Sequence, residues 1–278
     1  MENLELPQFI IVGSMKCGTT SLAHYLDQHP EISMSLVKEP NFFTDENFDK
    51  GIDWYISRFP ENSLIKGEAS TSYTKYPVFS DVPERINEVL PDVKIIYLVK
   101  DPIDRIISHL KHNYLCGREE RGIDSIFRDL NNNYVIPSMY HMQIRQYLKY
   151  FKRENIFVIP LERFEQKSNS YLKRLFGFLE VDPDFSSSEF ARKMNTSASR
   201  PYKGKLYKIL TEHSQIRALL KHNPMYLTDM VRYIFSRKQP EVQIDGSLKE
   251  KLTEKLQPDV EAFRAWLGDP LEEWRNFR

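Results

Sequence analysis

One stretch near the start narrows the choice of fold more than any other. Phe9-Ile10-Ile11-Val12 is an unbroken apolar run, Gly13-Ser14-Met15-Lys16-Cys17-Gly18 is a loop bounded by glycines, and the residues that follow put Leu22, Tyr25 and Leu26 on one helical face. Strand, tight loop and helix in that order open a βαβ unit, and a strand without polar alternation is one covered on both faces, as parallel strands are. Runs of the same kind at 64–67, 94–99 and 156–159 are separated by helical stretches. The alternation predicts an α/β fold of three layers, with a central, mostly parallel sheet flanked by helices.

The helices can be bounded from their punctuation. The first should stop near His29-Pro30, because proline disfavours helical geometry in the residue before it. A second is expected over 83–90 with Asp81 near its start, and a third over 102–116 with Asp101 as N-cap and Pro102 in the first turn. Tyr140, Ile144, Tyr147, Leu148 and Phe151 form one apolar face, and Tyr171, Leu172, Leu175, Phe176 and Leu179 another, both read as core. From 186 to 204 the chain is polar and irregular, and 205–238 is basic. With no internal repeat and no obvious linker, 1–278 is read as one domain, with 186–240 as a lid over acceptor and cofactor.

Charge excludes some partners. Lys plus Arg and Asp plus Glu both total 39, so no global field draws the chain to nucleic acid or an anionic membrane, and anion recognition has to be local. No apolar run is long enough for a signal-peptide core or a membrane span. The two cysteines, Cys17 and Cys116, make no disulfide framework, so a reducing, cytoplasmic setting is expected.

The glycine loop is either an ordinary tight turn or an anion cradle, in which backbone amides and a helix N-terminus face a phosphate. It resembles a P-loop, with one departure: Thr19 stands after the second glycine where triphosphate-binding loops carry lysine, and the cation sits earlier, as Lys16. That arrangement suits a smaller group than a magnesium triphosphate. Ser14-Met15-Lys16-Cys17-Gly18-Thr19-Thr20-Ser21-Leu22 resembles the 5′-phosphosulfate loop of sulfotransferases that use 3′-phosphoadenosine 5′-phosphosulfate (PAPS). The resemblance implies that Lys16 contacts the bridging oxygen of the donor and that Cys17, Gly18, Thr19, Thr20 and Ser21 hold its 5′-phosphate.

A second strand end, Lys100-Asp101-Pro102-Ile103-Asp104-Arg105-Ile106-Ile107-Ser108, again runs into a proline-started helix whose free amides could face an anion. Taken alone, Arg105 could equally pair with Asp101 at i,i+4. Beside the first loop, the segment is similar to the family's 3′-phosphate element, which implies that Lys100, Arg105 and Ser108 bind there. Lys100 replaces the usual arginine, keeping the charge and losing the bidentate fork.

In-line sulfuryl transfer needs positive charge at the leaving oxygen and a base for the acceptor's proton. Lys38-Glu39-Pro40-Asn41-Phe42-Phe43 pairs a carboxylate with a cation ahead of shielding aromatics. With Gly51-Ile52-Asp53-Trp54-Tyr55 it resembles the glycan-sulfating, heparan-sulfate-type branch, which implies Glu39 as general base and Lys38 beside the sulfuryl group. His109 and His112 are lesser candidates for the base. The resemblance further implies acceptor contacts from Glu39, Phe43, Glu68, Ser70, Tyr73 and His112, and a nucleotide-closing loop at Arg200, Lys203 and Gly204. It extends from about Phe9 to Asp184, with Pro258 to Trp274 similar to a family C-terminal helix. The implied activity is transfer from PAPS, with 3′-phosphoadenosine 5′-phosphate (PAP) as product and no metal, to a hydroxyl or amine of a saccharide or small polar molecule. A nucleotide-dependent kinase and a non-catalytic nucleotide-binding protein are the alternatives.

Overall fold

The structure, a computed structural model, describes residues 6–61, 64–191 and 242–278. Among these, five strands form one sheet: β1 (Phe9–Gly13), β2 (Ile32–Met34), β3 (Ile65–Ala69), β4 (Lys94–Val99) and β5 (Ile156–Pro160). Their order across the sheet is β2-β3-β1-β4-β5, and every neighbouring pair is parallel. The three runs expected to be strands after the first are strands. The short edge strand β2 is the addition, because Ile32-Ser33-Met34 is too brief and too mixed to carry a signal.

The helices are α1 (Thr19–Leu26), α2 (Asp45–Phe48), α3 (Ile52–Ile56), α4 (Val82–Val89), α5 (Pro102–Leu115), α6 (Ile123–Ile126), α7 (Tyr140–Tyr147), α8 (Leu161–Gln166), α9 (Ser168–Leu179) and α10 (Gly246–Leu267). Side chains alternate across each strand. Ile10, Val12, Ile95, Tyr97 and Val99 pack with α4, α5, α7 and α10 on one face. Phe9, Ile11, Ile96 and Leu98 pack with α1 and α9 on the other. Phe9 to Val12 are all fully buried, which explains the unbroken apolar run, each such side chain contributing roughly 1.5–3 kcal/mol. Gly67 marks a close approach of β3 to β1: a Cβ there would lie 2.0 Å from the Phe9 ring.

The C-terminal helix is displaced from the expected 258–274. It starts twelve residues earlier, where the Asp245 carboxylate accepts from the Leu248 amide (2.7 Å), and ends where Gly268 turns left-handed (φ 71), with Pro258 inside it. Cap and glycine, the physical stop signals, fix its ends.

Because the chain passes from β1 toward β2 and β3, then crosses to β4 and β5, the carboxyl ends of β1 and β4 lie side by side where the winding reverses. That is where open α/β sheets form their crevices.

Candidate functional site

β1 runs into the first loop at Gly13, whose φ of 151° and contact with Thr74 both demand glycine: a Cβ would sit 2.0 Å from Thr74 Oγ1. Thr74 Oγ1 donates to the Val12 carbonyl (3.1 Å), Ser14 N to the Leu98 carbonyl (2.7 Å) and Cys17 N to the Ser14 carbonyl (3.1 Å). The loop is thereby tied to both neighbouring strand ends. Lys16 (φ 75) and Gly18 (φ 90) are left-handed, which curls successive amides toward one side; at Lys16 that geometry costs on the order of 1–2 kcal/mol. Gly18 is the N-cap of α1 and supplies no capping side chain; Ser21 N (3.0 Å) and Leu22 N (3.1 Å) donate to its carbonyl, which leaves the Thr19 and Thr20 amides for an anion. The donor set of lysine, threonine and serine with helix amides fits a phosphosulfate.

Thr19 and Thr20 line a cavity of about 240 Å³ together with Ala23, His24, Lys38 and Glu39. The expected anion loop and the expected base therefore share one space. Cys17 contributes only backbone: its side chain is fully buried, its thiol lies 3.7 Å from Tyr140 Oη, and burial pushes it up to about 11.

The second element departs from expectation in two ways. Its helix amides are already used, since the Asp101 carboxylate accepts from Ile103 N (3.0 Å) and Asp104 N (3.4 Å). Arg105 is fully buried rather than facing the crevice; it donates to Ser138 Oγ (2.6 Å), the Tyr134 carbonyl (2.5 Å) and the Met15 carbonyl (3.4 Å). Its rigid fork suits a support under the first loop, not a direct phosphate contact. Lys100 and Ser108, the other two expected anion contacts, are both half-buried. Tyr140 Oη donates to the Lys100 carbonyl (2.8 Å), accepts from Lys100 N (3.3 Å) and abuts Cys17, so one buried phenol ties both loops.

Glu39 and Asn41 are left-handed (φ 54 and 50) on either side of Pro40. Lys38 Nζ lies 4.0 Å from Glu39 Oε1, with the two side chains 59% and 33% exposed, so this pair contributes little stability and stays reachable. Of the expected acceptor contacts further in, Phe43, Glu68, Ser70 and Tyr73 are buried at 2% exposure or less. Phe43 packs edge-on against Tyr55 and Tyr73. Glu68 accepts three hydroxyl hydrogen bonds, and burial raises it to about 7. The strand end reaches the cavity through Ala69 instead.

His109 is buried, and desolvation, reinforced by Arg105, pushes it down to about 2, so it stays neutral. Its Nε2 faces Asn113 Nδ2 (3.3 Å), while Nδ1 is buried without a partner. His112 is half-buried, with Cys116 Sγ 3.8 Å from its Nε2. Arg200, Lys203, Gly204 and the basic stretch lie outside the described residues.

Two groups were missed. Lys75 follows the turn that Thr74 anchors to β1; desolvation lowers its pKa while the charge of Glu39 acts to raise it, so the two share one electrostatic neighbourhood. No motif marks it. His24, one turn beyond Thr20, meets Glu189 at 3.2 Å on the cavity wall; only helical spacing from Thr20 could have suggested it.

A family model described as a sulfotransferase domain matches residues 6–223. The chain is 28% identical over 206 residues to mouse bifunctional heparan sulfate N-deacetylase/N-sulfotransferase 4, covering 66% of this chain and 23% of that protein. It is 27% identical over 214 residues to the Drosophila melanogaster bifunctional heparan sulfate N-deacetylase/N-sulfotransferase, covering 66% and 20%. It thus spans under a quarter of the length of these curated relatives. The crystal structure of a sulfotransferase from Alicyclobacillus acidocaldarius has the same fold, with TM-score 0.70, 24% identity, and coverage of 97% of this chain and 99% of that one.

Proposed function

The chain belongs to the sulfotransferase domain family, and on that premise we propose that it moves a sulfuryl group from PAPS to an amino or hydroxyl group of a saccharide. The observation that carries this reading is the shared cavity, lined by Thr19 and Thr20 from the amide-rich start of α1 and by Lys38 and Glu39 from the loop after β2. Binding and base functions need such adjacency.

PAPS, when bound, supplies an activated sulfuryl group and leaves as PAP. The Lys16, Thr19, Thr20 and Ser21 side chains, with the Thr19 and Thr20 amides at the start of α1, hold the 5′ end, and Lys16 stabilises charge on the leaving oxygen. Lys100 and Ser108 take the 3′-phosphate at the neighbouring strand end. Glu39 accepts the acceptor's proton as the new bond to sulfur forms and the sulfur–oxygen bond to the phosphate breaks. Lys38 and Lys75 offer positive charge beside Glu39.

The relatives' names, heparan sulfate N-sulfotransferases, support a glycan amine as the first acceptor to test, with glycan hydroxyls next. No helix among the described residues is long and apolar enough to cross a membrane. The two cysteines are free thiols, which supports a reducing, cytoplasmic setting.

Incubation with sulfur-labelled PAPS and a panel of N-deacetylated and hydroxyl-bearing glycans should label a glycan product. Lys16→Ala and Glu39→Gln should each lower kcat by roughly 10²-fold or more. Full activity in either variant removes that residue from the mechanism. Calorimetry that found no binding of PAP but tight binding of magnesium ATP would overturn the reading as a whole.

A further inference from the structure

Beneath the Lys38-Glu39 loop, three hydroxyls converge on one buried carboxylate. Tyr55 Oη and Tyr73 Oη donate to Glu68 Oε1 (2.7 and 2.9 Å), and Ser70 Oγ donates to Oε2 (2.6 Å). Two of these hydroxyls also receive backbone amides from the loop above. Asn41 N donates to Ser70 Oγ (3.0 Å), and Phe43 N donates to Tyr73 Oη (3.3 Å).

A hydroxyl has one proton, so its direction is decided by its strongest acceptor. Once Glu68 is ionised, above about pH 7, its carboxylate takes the protons of Ser70 and Tyr73, and their lone pairs turn outward to meet the amides. Asn41 then closes the loop by donating from Nδ2 to the Glu39 carbonyl (2.9 Å). The backbone so held is one a free chain would abandon, since Glu39 and Asn41 both sit at positive φ, at a cost on the order of 1 kcal/mol or more each. Glu68 itself is 0% exposed.

We propose that Glu68 is a positioning residue: through Ser70 and Tyr73 it fixes the strained backbone that aims the Glu39 carboxylate into the cavity. This rests on the reading of Glu39 as the general base. Glu68 acts one layer below the chemistry, on geometry alone.

The test compares Ser70→Ala and Tyr73→Phe, which cut the two links separately and leave Glu68 in place. Steady-state kinetics with PAPS and a glycan acceptor are combined with hydrogen exchange of the Asn41 and Phe43 amides. Ser70→Ala should accelerate exchange at Asn41 and lower kcat by roughly 10-fold to 100-fold, as a displaced catalytic group does, with KM for PAPS within about twofold. In a Glu39→Gln background the same substitution should cost no further kcat, because residues acting as a unit are not additive. Tyr73→Phe should act likewise with its exchange effect at Phe43. Unchanged exchange and kcat in both variants would overturn the inference, as would a loss that multiplies in full with that of Glu39→Gln. A fully active Glu39→Gln would instead sink the assignment of the base, and that outcome is visible before either link is cut.

Discussion

Burial holds the proton of Glu68 to a pKa of about 7 against its ordinary 4.5, with the nearby charge of Glu39 adding to the effect and the three hydroxyls opposing it. Between those values the folded chain keeps a proton that the unfolded chain has lost. Stability from this residue is therefore fully present below about pH 4.5 and declines as pH rises through 7; a displacement of that size is worth roughly 3 kcal/mol. Denaturant unfolding at pH 5 and pH 8 should show wild type weaker at pH 8 by an amount that Glu68→Gln largely removes. An unchanged pH dependence in Glu68→Gln would place the effect elsewhere. At this scale the sequence was legible where a contact is local: Lys16, Thr19 and Thr20 announce themselves by their spacing within a loop. Glu68 and Arg105 were singled out too, but their buried partnerships were not legible, because part of what they touch lies farther along the chain. Glu68 meets Tyr55, and Arg105 meets Met15 and Tyr134, pairings that only the folded sheet creates.

Among the elements, α5 and α7 start in contrasting ways. Asp101 caps α5 from its own sequence, as the Asp-Pro signature predicts. The start of α7 has no local cap, and the Asp259 carboxylate of α10 accepts from His141 N (2.9 Å) and Met142 N (2.8 Å) in its stead. Loss of a buried acceptor leaves two stranded amides, so Asp259→Ala should destabilise the chain by about 1–3 kcal/mol. Calorimetric melting should register this as a Tm lower by several degrees; a Tm within a degree of wild type would refute the capping role. Burial raises Asp259 to about 6, so at neutral pH it caps α7 as a carboxylate. Strands β1 and β4 were readable because burial on both faces makes them almost wholly apolar, and the edge strand β5, partly buried, is apolar throughout. Strand β2 and the true start of α10 were not, the one being three residues long and the other depending on a cap before a polar first turn.

At the scale of the molecule, the order of the strands brings two loops, 80-odd residues apart, to adjacent strand tips, and Arg105 sits under both. Its partners are a serine hydroxyl and two peptide carbonyls, and among the described residues no carboxylate lies within ion-pair distance of it. A cation sealed in this way is costly to hold, and its field reaches Cys17 and His109. A small oxyanion held at the glycine loop would lie within reach of that field, since Arg105 supports the loop through the Met15 carbonyl. Millimolar sulfate or inorganic phosphate should raise the melting temperature where chloride at equal ionic strength does not; Arg105→Met, which removes the supporting charge and leaves Lys16 in place, should weaken that preference, and an undiminished preference would refute the supporting role.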